Sequence, residues 1–300
     1  MVPARLYLVD ASIYVFRAWH VLPDSIRDAH DEPANAVHGF ADFLRRFLDE
    51  ARPARVAVAF DESLESSIRN DIYPDYKANR APAPEELRRQ FARCRELVEA
   101  AGLAAFSSPH YEADDLLATL AASMRGHGLR HTVVTGDKDL AQLVRTGDEW
   151  WDFARAVRLD VRGIEKRFGV APHRIPDLLA LAGDKIDNIP GVPGIGQATA
   201  ARLLARWGDL DTLFANLEGV RAMRFRGAAR VAALLAEHEA TVRLARRLTG
   251  MLSVDGLPGE PAALERRAAD ADALDDLFAR LAFGRERRRR WQETLAAPAA

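Results

Sequence analysis

The chain has 300 residues, 48% of them hydrophobic and 29% charged, which is enough to bury the core of one large domain or two. Its 42 basic and 44 acidic residues leave a formal charge of -2, and a single cysteine, Cys94, excludes an internal disulfide. No stretch approaches the roughly eighteen apolar residues of a membrane span, and the opening Met1-Val-Pro-Ala-Arg-Leu-Tyr-Leu has no leader core, so a cytoplasmic protein is expected.

Taken in chain order, the first predicted element is the β-prone run Leu6-Tyr-Leu-Val9, which ends in Asp10. Val37, Phe40, Leu44, Phe47 and Leu48 then recur at helical spacing, and a second apolar run, Val56-Ala-Val-Ala-Phe60, ends in Asp61. A basic stretch follows in which Arg69, Lys77 and Arg80 are interleaved with Tyr73 and Tyr76, and then come Arg88, Arg89, Arg93 and Arg95. Such a run is ordinarily a solvated helix face, but interleaved aromatics also suit single-stranded nucleic acid, where bases stack and phosphates pair with cations. Glu112-Ala-Asp114-Asp115 opens the next helix, marked by Leu116, Leu117 and Leu120. A third strand, Thr132-Val-Val134, runs into Thr135-Gly-Asp137-Lys-Asp139.

Beyond about Pro172 the strand-like runs give way to Ala/Leu/Arg-rich helical stretches over 178–252, interrupted by Gly183-Asp184-Lys-Ile-Asp187-Asn188 and the turn Gly191-Val-Pro-Gly194-Ile-Gly196. Residues 254–261 read as a loop and 262–295 as more helix, with a basic run at 285–290. The fold class is therefore α/β, a mostly parallel central sheet flanked by helices over 1–170, followed by a helical domain over 171–300.

The acids carry the chemistry. Open α/β sheets bind ligands outside the carboxyl ends of their strands, and all three predicted strands lead there into aspartates. One aspartate at a strand end is ordinarily a turn or cap residue, and a carboxylate in a first helical turn is favoured by the macrodipole alone. Nine gathered together are another matter. Asp10, Asp61, Glu112, Asp114, Asp115, Asp137, Asp139, Asp184 and Asp187 would repel one another unless divalent cations lay among them, and an all-oxygen set selects Mg2+ or Mn2+ over zinc. Setting these nine aside leaves 35 acids against 42 bases, a net +7 that suits a polyanionic partner.

In family order, Leu8-Val-Asp10, Ala59-Phe-Asp61, Tyr73-Pro-Asp-Tyr-Lys77-Ala-Asn-Arg80, Glu112-Ala-Asp-Asp115, Thr135-Gly-Asp-Lys-Asp139 and the run from Gly183 to Gly196 resemble the 5′ nucleases that precede the polymerase in bacterial DNA polymerase I, and flap endonucleases generally. The resemblance spans residues 5 to 290. It implies a PIN-like nuclease core with a helical arch at about 69–95, a helix-turn-helix-like duplex-binding subdomain, and hydrolysis of DNA phosphodiester bonds by a two-metal mechanism that leaves 5′-phosphates. It assigns Asp10, Asp61, Glu112, Asp114 and Asp115 to one ion and Asp137, Asp139, Asp184 and Asp187 to the other, with Asp115 counted among the catalytic groups. Lys77 and Arg80 are then electrophilic aids at the scissile phosphate.

DNA contact is expected from Arg17, Arg69, Tyr73, Tyr76, Lys77 and Arg80, and from Gly191, Gly194, Gly196, Gln197 and Thr199 at the turn, with potassium bound there. The glycines let backbone amides approach a phosphate and the helix from Gln197 offers its N-terminus, although a plain helix connection also favours Gly and Pro. Implied partners are branched, flapped or nicked DNA, RNA-primed ends included, met by a monomer. The chain closes at Ala300 without a polymerase, so a stand-alone nuclease is expected, and Ala198 stands where relatives commonly carry lysine. A non-catalytic DNA-binding module would have no use for the full acid set, and a ribonuclease of a related nuclease fold would lack the Gly/Pro turn.

Overall fold

The computed structural model describes residues 4–62 and 67–299. Six strands form one sheet: β1 (Arg5–Asp10), β2 (Val56–Asp61), β3 (Ala104–Ser108), β4 (Arg130–Val134), β5 (Glu149–Asp152) and β6 (Val157–Leu159). Their order is β3-β2-β1-β4-β5-β6, parallel except for the antiparallel β5–β6 pair. Strand order reverses at β1, where β2 lies on one side and β4 on the other, and this is the switch point at which doubly wound sheets open a crevice.

Alternation along each strand divides the core in two. Leu6 and Leu8 of β1, Ala57 and Ala59 of β2, Val133 and Trp150 face one layer, which contains the helix Ala113–Arg125 and the helices between residues 175 and 249. Val9, Val56, Val58, Phe60, Val134 and Trp151 face the other, packed by Asn35–Ala51 and Glu85–Ala100. This is the period of two that the pleat imposes, with both faces buried as parallel sheets require. A one-residue slip of β1 would put the Tyr7 hydroxyl where Leu8 packs.

Sequence reading found β1, β2 and β4 and missed the other three. β3 is an edge strand of small and hydroxyl residues, Ala-Ala-Phe-Ser-Ser, whose pairing with β2 decides its state. β5 and β6 span four and three residues, too short for alternation to show. A larger correction concerns residues 262–295, expected to be more helix belonging to the second domain. Pro261–Leu264 is a 3-10 turn, and the chain then returns to the layer of Asn35–Ala51 and Glu85–Ala100, bridging Arg55 to Glu265. The helices Ala271–Arg280 and Arg285–Ala296 pack there through Leu274, Leu277, Phe278 and Trp291. Among the described residues no helix is long and apolar enough to cross a membrane.

Candidate active site

The sheet delivers its aspartates to one edge, and each has a local reason to be there. Asp10 caps the helix Ala11–Val21, accepting from Ile13 N at 3.4 Å, while its other oxygen accepts from Thr135 Oγ1 at 2.8 Å. Capping and chemistry are thus the same residue seen from two sides. Asp61 accepts from Ala113 N at 2.9 Å, and its own amide donates to Ser12 Oγ at 2.9 Å. Glu112 is the N-cap of Ala113–Arg125, in a capping box closed by Asp115, so Asp114 sits in that first turn. Asp137 and Asp139 follow β4 in a tight turn in which Asp139 N donates to Asp137 Oδ1 at 2.9 Å. Asp184 and Asp187 come from the loop after the helix Ile175–Ala182, held by the mutual Asp184–Ile189 backbone bridge.

Cations separate these acids into two sorts. Lys77 Nζ lies 2.9 Å from Glu112 Oε2 and 4.0 Å from Asp187 Oδ2, and Arg80 Nη2 donates to Asp187 Oδ1. Lys138 Nζ donates to Asp184 Oδ2 at 2.6 Å and lies 3.1 Å from Asp139 Oδ1. Burial works to raise the Glu112 and Asp184 carboxyls, but Lys77 and Arg69 in the first case and Lys138 in the second more than offset it, so both are held low. Asp10 and Asp114 have no such cation. Burial followed by the charge of Asp61 pushes Asp10 up to about 7. Burial and then Asp137 and Asp10 push Asp114 well above the carboxylate range, and among the described residues no hydrogen bond reaches its side chain. Asp61 is raised by burial, and Asp139 by burial and Asp137 to about 7.

The nine acids meet four cations, Arg69, Lys77, Arg80 and Lys138, a formal excess of five negative charges if every carboxyl is ionised. Two divalent ions would cancel four of them. Among the described residues no three acids stand as a ready ligand set, and Glu112, Asp187 and Asp184 are engaged by Lys77, Arg80 and Lys138. The donor chemistry, all oxygen and short of positive charge, fits hard divalent ions.

Family models match nearly the whole of this architecture, the 5′-3′ exonuclease N-terminal resolvase-like domain over residues 5–169 and the 5′-3′ exonuclease C-terminal SAM fold over 170–272. The chain belongs to the 5′-3′ exonuclease family. It is 36% identical over 298 residues to DNA polymerase I of Mycobacterium bovis and 40% identical over 229 residues to that of Rhizobium leguminosarum. These matches cover 97% and 74% of the chain but only 32% and 22% of those relatives, so the chain spans about a third of their length or less. Its fold is that of T5 5′-exonuclease, solved with zinc bound (TM-score 0.68, 17% identity, 97% of this chain and 98% of that one). It is also that of the Rad2 catalytic core, solved with a DNA substrate (TM-score 0.62, 16% identity, 98% and 93%).

Within this family frame, three residues sit differently from expectation. Asp115 is fully buried, and both its oxygens are taken by the Arg69 guanidinium at 2.6 and 2.8 Å, so it is not a free metal ligand. Arg69 is equally buried, which removes it from the DNA-contacting set. Tyr76 is 4% exposed and donates to Glu112 at 3.2 Å and Asp187 at 3.3 Å, so its ring is closed to base stacking. The burial of Arg69 and Tyr76 was invisible in a run that reads as basic and aromatic. Tyr73 is half-buried and Arg17 exposed on the helix that starts at Asp10.

The proposed arch is a short helix, Ile68–Ile72, a turn through Arg80 and the long helix Glu85–Ala100. Its turn is stitched to the acid loop. Lys77 N donates to Asp187 O at 3.0 Å, Asn79 Nδ2 to Lys185 O at 2.9 Å and Asn188 Nδ2 to Asp75 O at 2.7 Å. Sequence reasoning missed Asn79, Asn188, Thr135 and Lys138; the last stands between two assigned acids, which was signal enough to ask what it neutralises.

The glycines of the second turn divide as well. A Cβ on Gly191 would lie 2.3 Å from Gly183 N, so its residue type is set by packing of backbone on backbone. Gly194, at φ +80, and Gly196 face open space. Gly196 caps the helix Gln197–Trp207 with no side-chain bond, Gln197 is exposed and Thr199 half-buried, while Val192 and Ile195 anchor the loop in the core.

Proposed function

We propose that this member of the 5′-3′ exonuclease family is a structure-specific 5′ nuclease that hydrolyses flapped or nicked DNA, RNA-primed ends included, with two divalent ions, Mg2+ or Mn2+. The observation that carries the reading is the charge imbalance: nine carboxylates at one sheet edge against four cations. Asp10, Asp61, Glu112 and Asp114 would hold one ion, and Asp137, Asp139, Asp184 and Asp187 the other, with Asp115 moved from the ligands to their support. Bound there, the ions supply a more acidic water and offset charge on the scissile phosphate.

The chain's own residues do the rest. Thr135 donates to the Asp10 carboxylate and Ala113 N to that of Asp61, while Ser12 holds the Asp61 backbone, so both strand-end carboxylates are set before any ligand arrives. Lys77 and Arg80 stand at the mouth, paired with Glu112 and Asp187, from which they can turn to an incoming phosphate. The Gly194–Gly196 backbone and the uncapped helix at Gln197 offer amides to a duplex phosphate, with potassium as the bridging cation. We assign the chain to DNA replication and repair, acting as a monomer, a reading supported by its likeness to proteins named DNA polymerase I.

The test is a 5′-labelled flap DNA, its RNA counterpart and a metal-free control. Mg2+-dependent release of the flap with a 5′-phosphate left on the duplex product is expected. Cleavage that persists in EDTA would overturn the reading, as would binding without cleavage in either metal.

A further inference from the structure

The Arg69–Asp115 pair is spent on neither metal nor DNA in this geometry, yet it is buried and densely bonded. Arg69 opens the short helix at the base of the arch and gives both terminal nitrogens to Asp115. Its Nε donates to Leu248 O and Nη2 to Gly250 O, each at 2.9 Å. These are carbonyls at the C-terminus of the helix Glu239–Thr249, where helical backbone has no partner of its own. Asp115 in turn accepts from Leu252 N at 2.8 Å, and Glu112 N approaches its other oxygen at 3.4 Å.

Three bodies therefore meet on one guanidinium: the arch base, the helix whose first turn carries Glu112 and Asp114, and the helical half of the chain. The seam continues beside it, where Gln142 Nε2 donates to Thr249 O at 3.2 Å and Thr249 Oγ1 to Pro176 O at 2.9 Å. The helix Glu239–Thr249 packs along Ile175–Ala182, which leads into the Asp184–Gly196 segment. A rigid path thus runs from the acids to the turn read above as the duplex grip.

We propose that Arg69 is a positioning residue that sets the register between duplex grip and carboxylate site, so that the phosphate chosen for incision depends on it. The proposal rests on the nuclease reading given above. Distance along DNA between a gripped phosphate and a cut one is fixed only as well as the two halves are fixed to each other. Misplacement of about 1 Å is enough to cost roughly a hundredfold in rate. Lysine keeps the charge but not the fork that spans Asp115 and two carbonyls at once.

The experiment maps products of a 5′-flap DNA at nucleotide resolution under single-turnover conditions, for the intact protein and for Arg69→Lys, Asp115→Asn and the double variant Arg69→Leu/Asp115→Leu. The double variant removes both buried charges together, a change that folded proteins commonly tolerate. Melting curves establish which variants are folded. The unaltered protein is expected to cut at one main phosphate. Folded variants are expected to bind duplex ends as before, to turn over about a hundredfold more slowly at saturation, and to spread their cuts over neighbouring phosphates. A folded variant that cuts at the original phosphate alone, at whatever rate, overturns the register role. Failure of the unaltered protein to cut would instead sink the nuclease reading itself.

Discussion

The two sets of carboxylates at the sheet edge have the same residue types but opposite electrostatic states. Glu112, Asp184 and Asp187 are each answered by a lysine or arginine of the chain, and the first two carboxyls are held low. Asp10 and Asp114 have no lysine or arginine of their own and face other acids, and both are pushed up by burial and by those acids. The first set is self-neutralised and stable as it stands. The second is a standing cost that an external cation would relieve, which is the expected arrangement for a site whose folding is complete before its cofactor arrives.

The sharpest way to break this contrast is Asp114→Asn. Losing a ligand is expected to slow flap cleavage by about a thousandfold or more, because the ions supply several kcal/mol of transition-state stabilisation. The same change deletes an unanswered charge, so the metal-free protein should melt higher, by about 2–4 °C for each kcal/mol relieved. Differential scanning calorimetry in EDTA and single-turnover cleavage in Mg2+ test the two halves together. A lower metal-free melting point would show that Asp114 is not the strained member.

Lys77→Ala and Arg80→Ala probe the other set and should have the opposite sign on stability. Each takes the nearer cation from Glu112 or Asp187, leaving Arg69 at 3.8 Å or Lys77 at 4.0 Å, so metal-free melting should fall, while turnover drops about 10²–10³-fold if these charges also serve the scissile phosphate. Duplex affinity should hold within a few fold. Parallel losses in binding and turnover would make them docking charges only.

Much of this was legible in the sequence because strand-end aspartates carry two local signals at once: an apolar run before them and a helix after. Asp10 and Asp61 are found that way. What was not legible is depth. Arg69 and Tyr76 lie in a stretch whose composition is that of a solvated, nucleic-acid-facing surface, and only contact with carbonyls of residues 248 and 250 and with Glu112 and Asp187 buries them. Gly191 was likewise read for a ligand when its neighbour is Gly183, eight positions earlier. The return of the helices after residue 265 to the layer of Asn35–Ala51 and Glu85–Ala100 was hidden for a related reason, since an amphipathic helix shows which face it buries but not against what.

A smaller effect tests a buried group with no counterpart among the acids. His131, in β4, is fully buried with neither ring nitrogen bonded, and burial, then the charge of Arg125, lowers it to about 4. A folded value below the unfolded 6.5 means that the unfolded chain binds the extra proton, so stability is complete above about pH 6.5 and is lost as pH falls toward 4, at up to about 1.4 kcal/mol per unit. Asp10 and Asp139 work in the other direction below about pH 7, which is why the comparison must be with His131→Leu. Urea midpoints between pH 4.5 and 7.5 should fall less steeply in the variant. Identical slopes would show that His131 finds a proton-accepting partner.

The smallest expected effect bears on the helical half, where the exposed Ala198 stands in the first turn of the helix Gln197–Trp207 beside the open Gly196. That helix end has amides free and no side-chain cap, so a phosphate placed there would be held by backbone alone. Ala198→Lys adds one cation at the same spot. If the turn grips a duplex, affinity for duplex-bearing DNA should rise and the slope of log K against log salt should steepen by about 0.9, the signature of one more phosphate neutralised. Affinity for a single strand should hardly move, because the strand is proposed to meet Lys77 and Arg80 instead. The single-turnover rate at saturation should also stay where it was, since a charge distant from the acids stabilises bound substrate and transition state alike. An unchanged duplex slope would take the duplex grip away from residues 194–199, and with it the far end of the register that Arg69 is proposed to set.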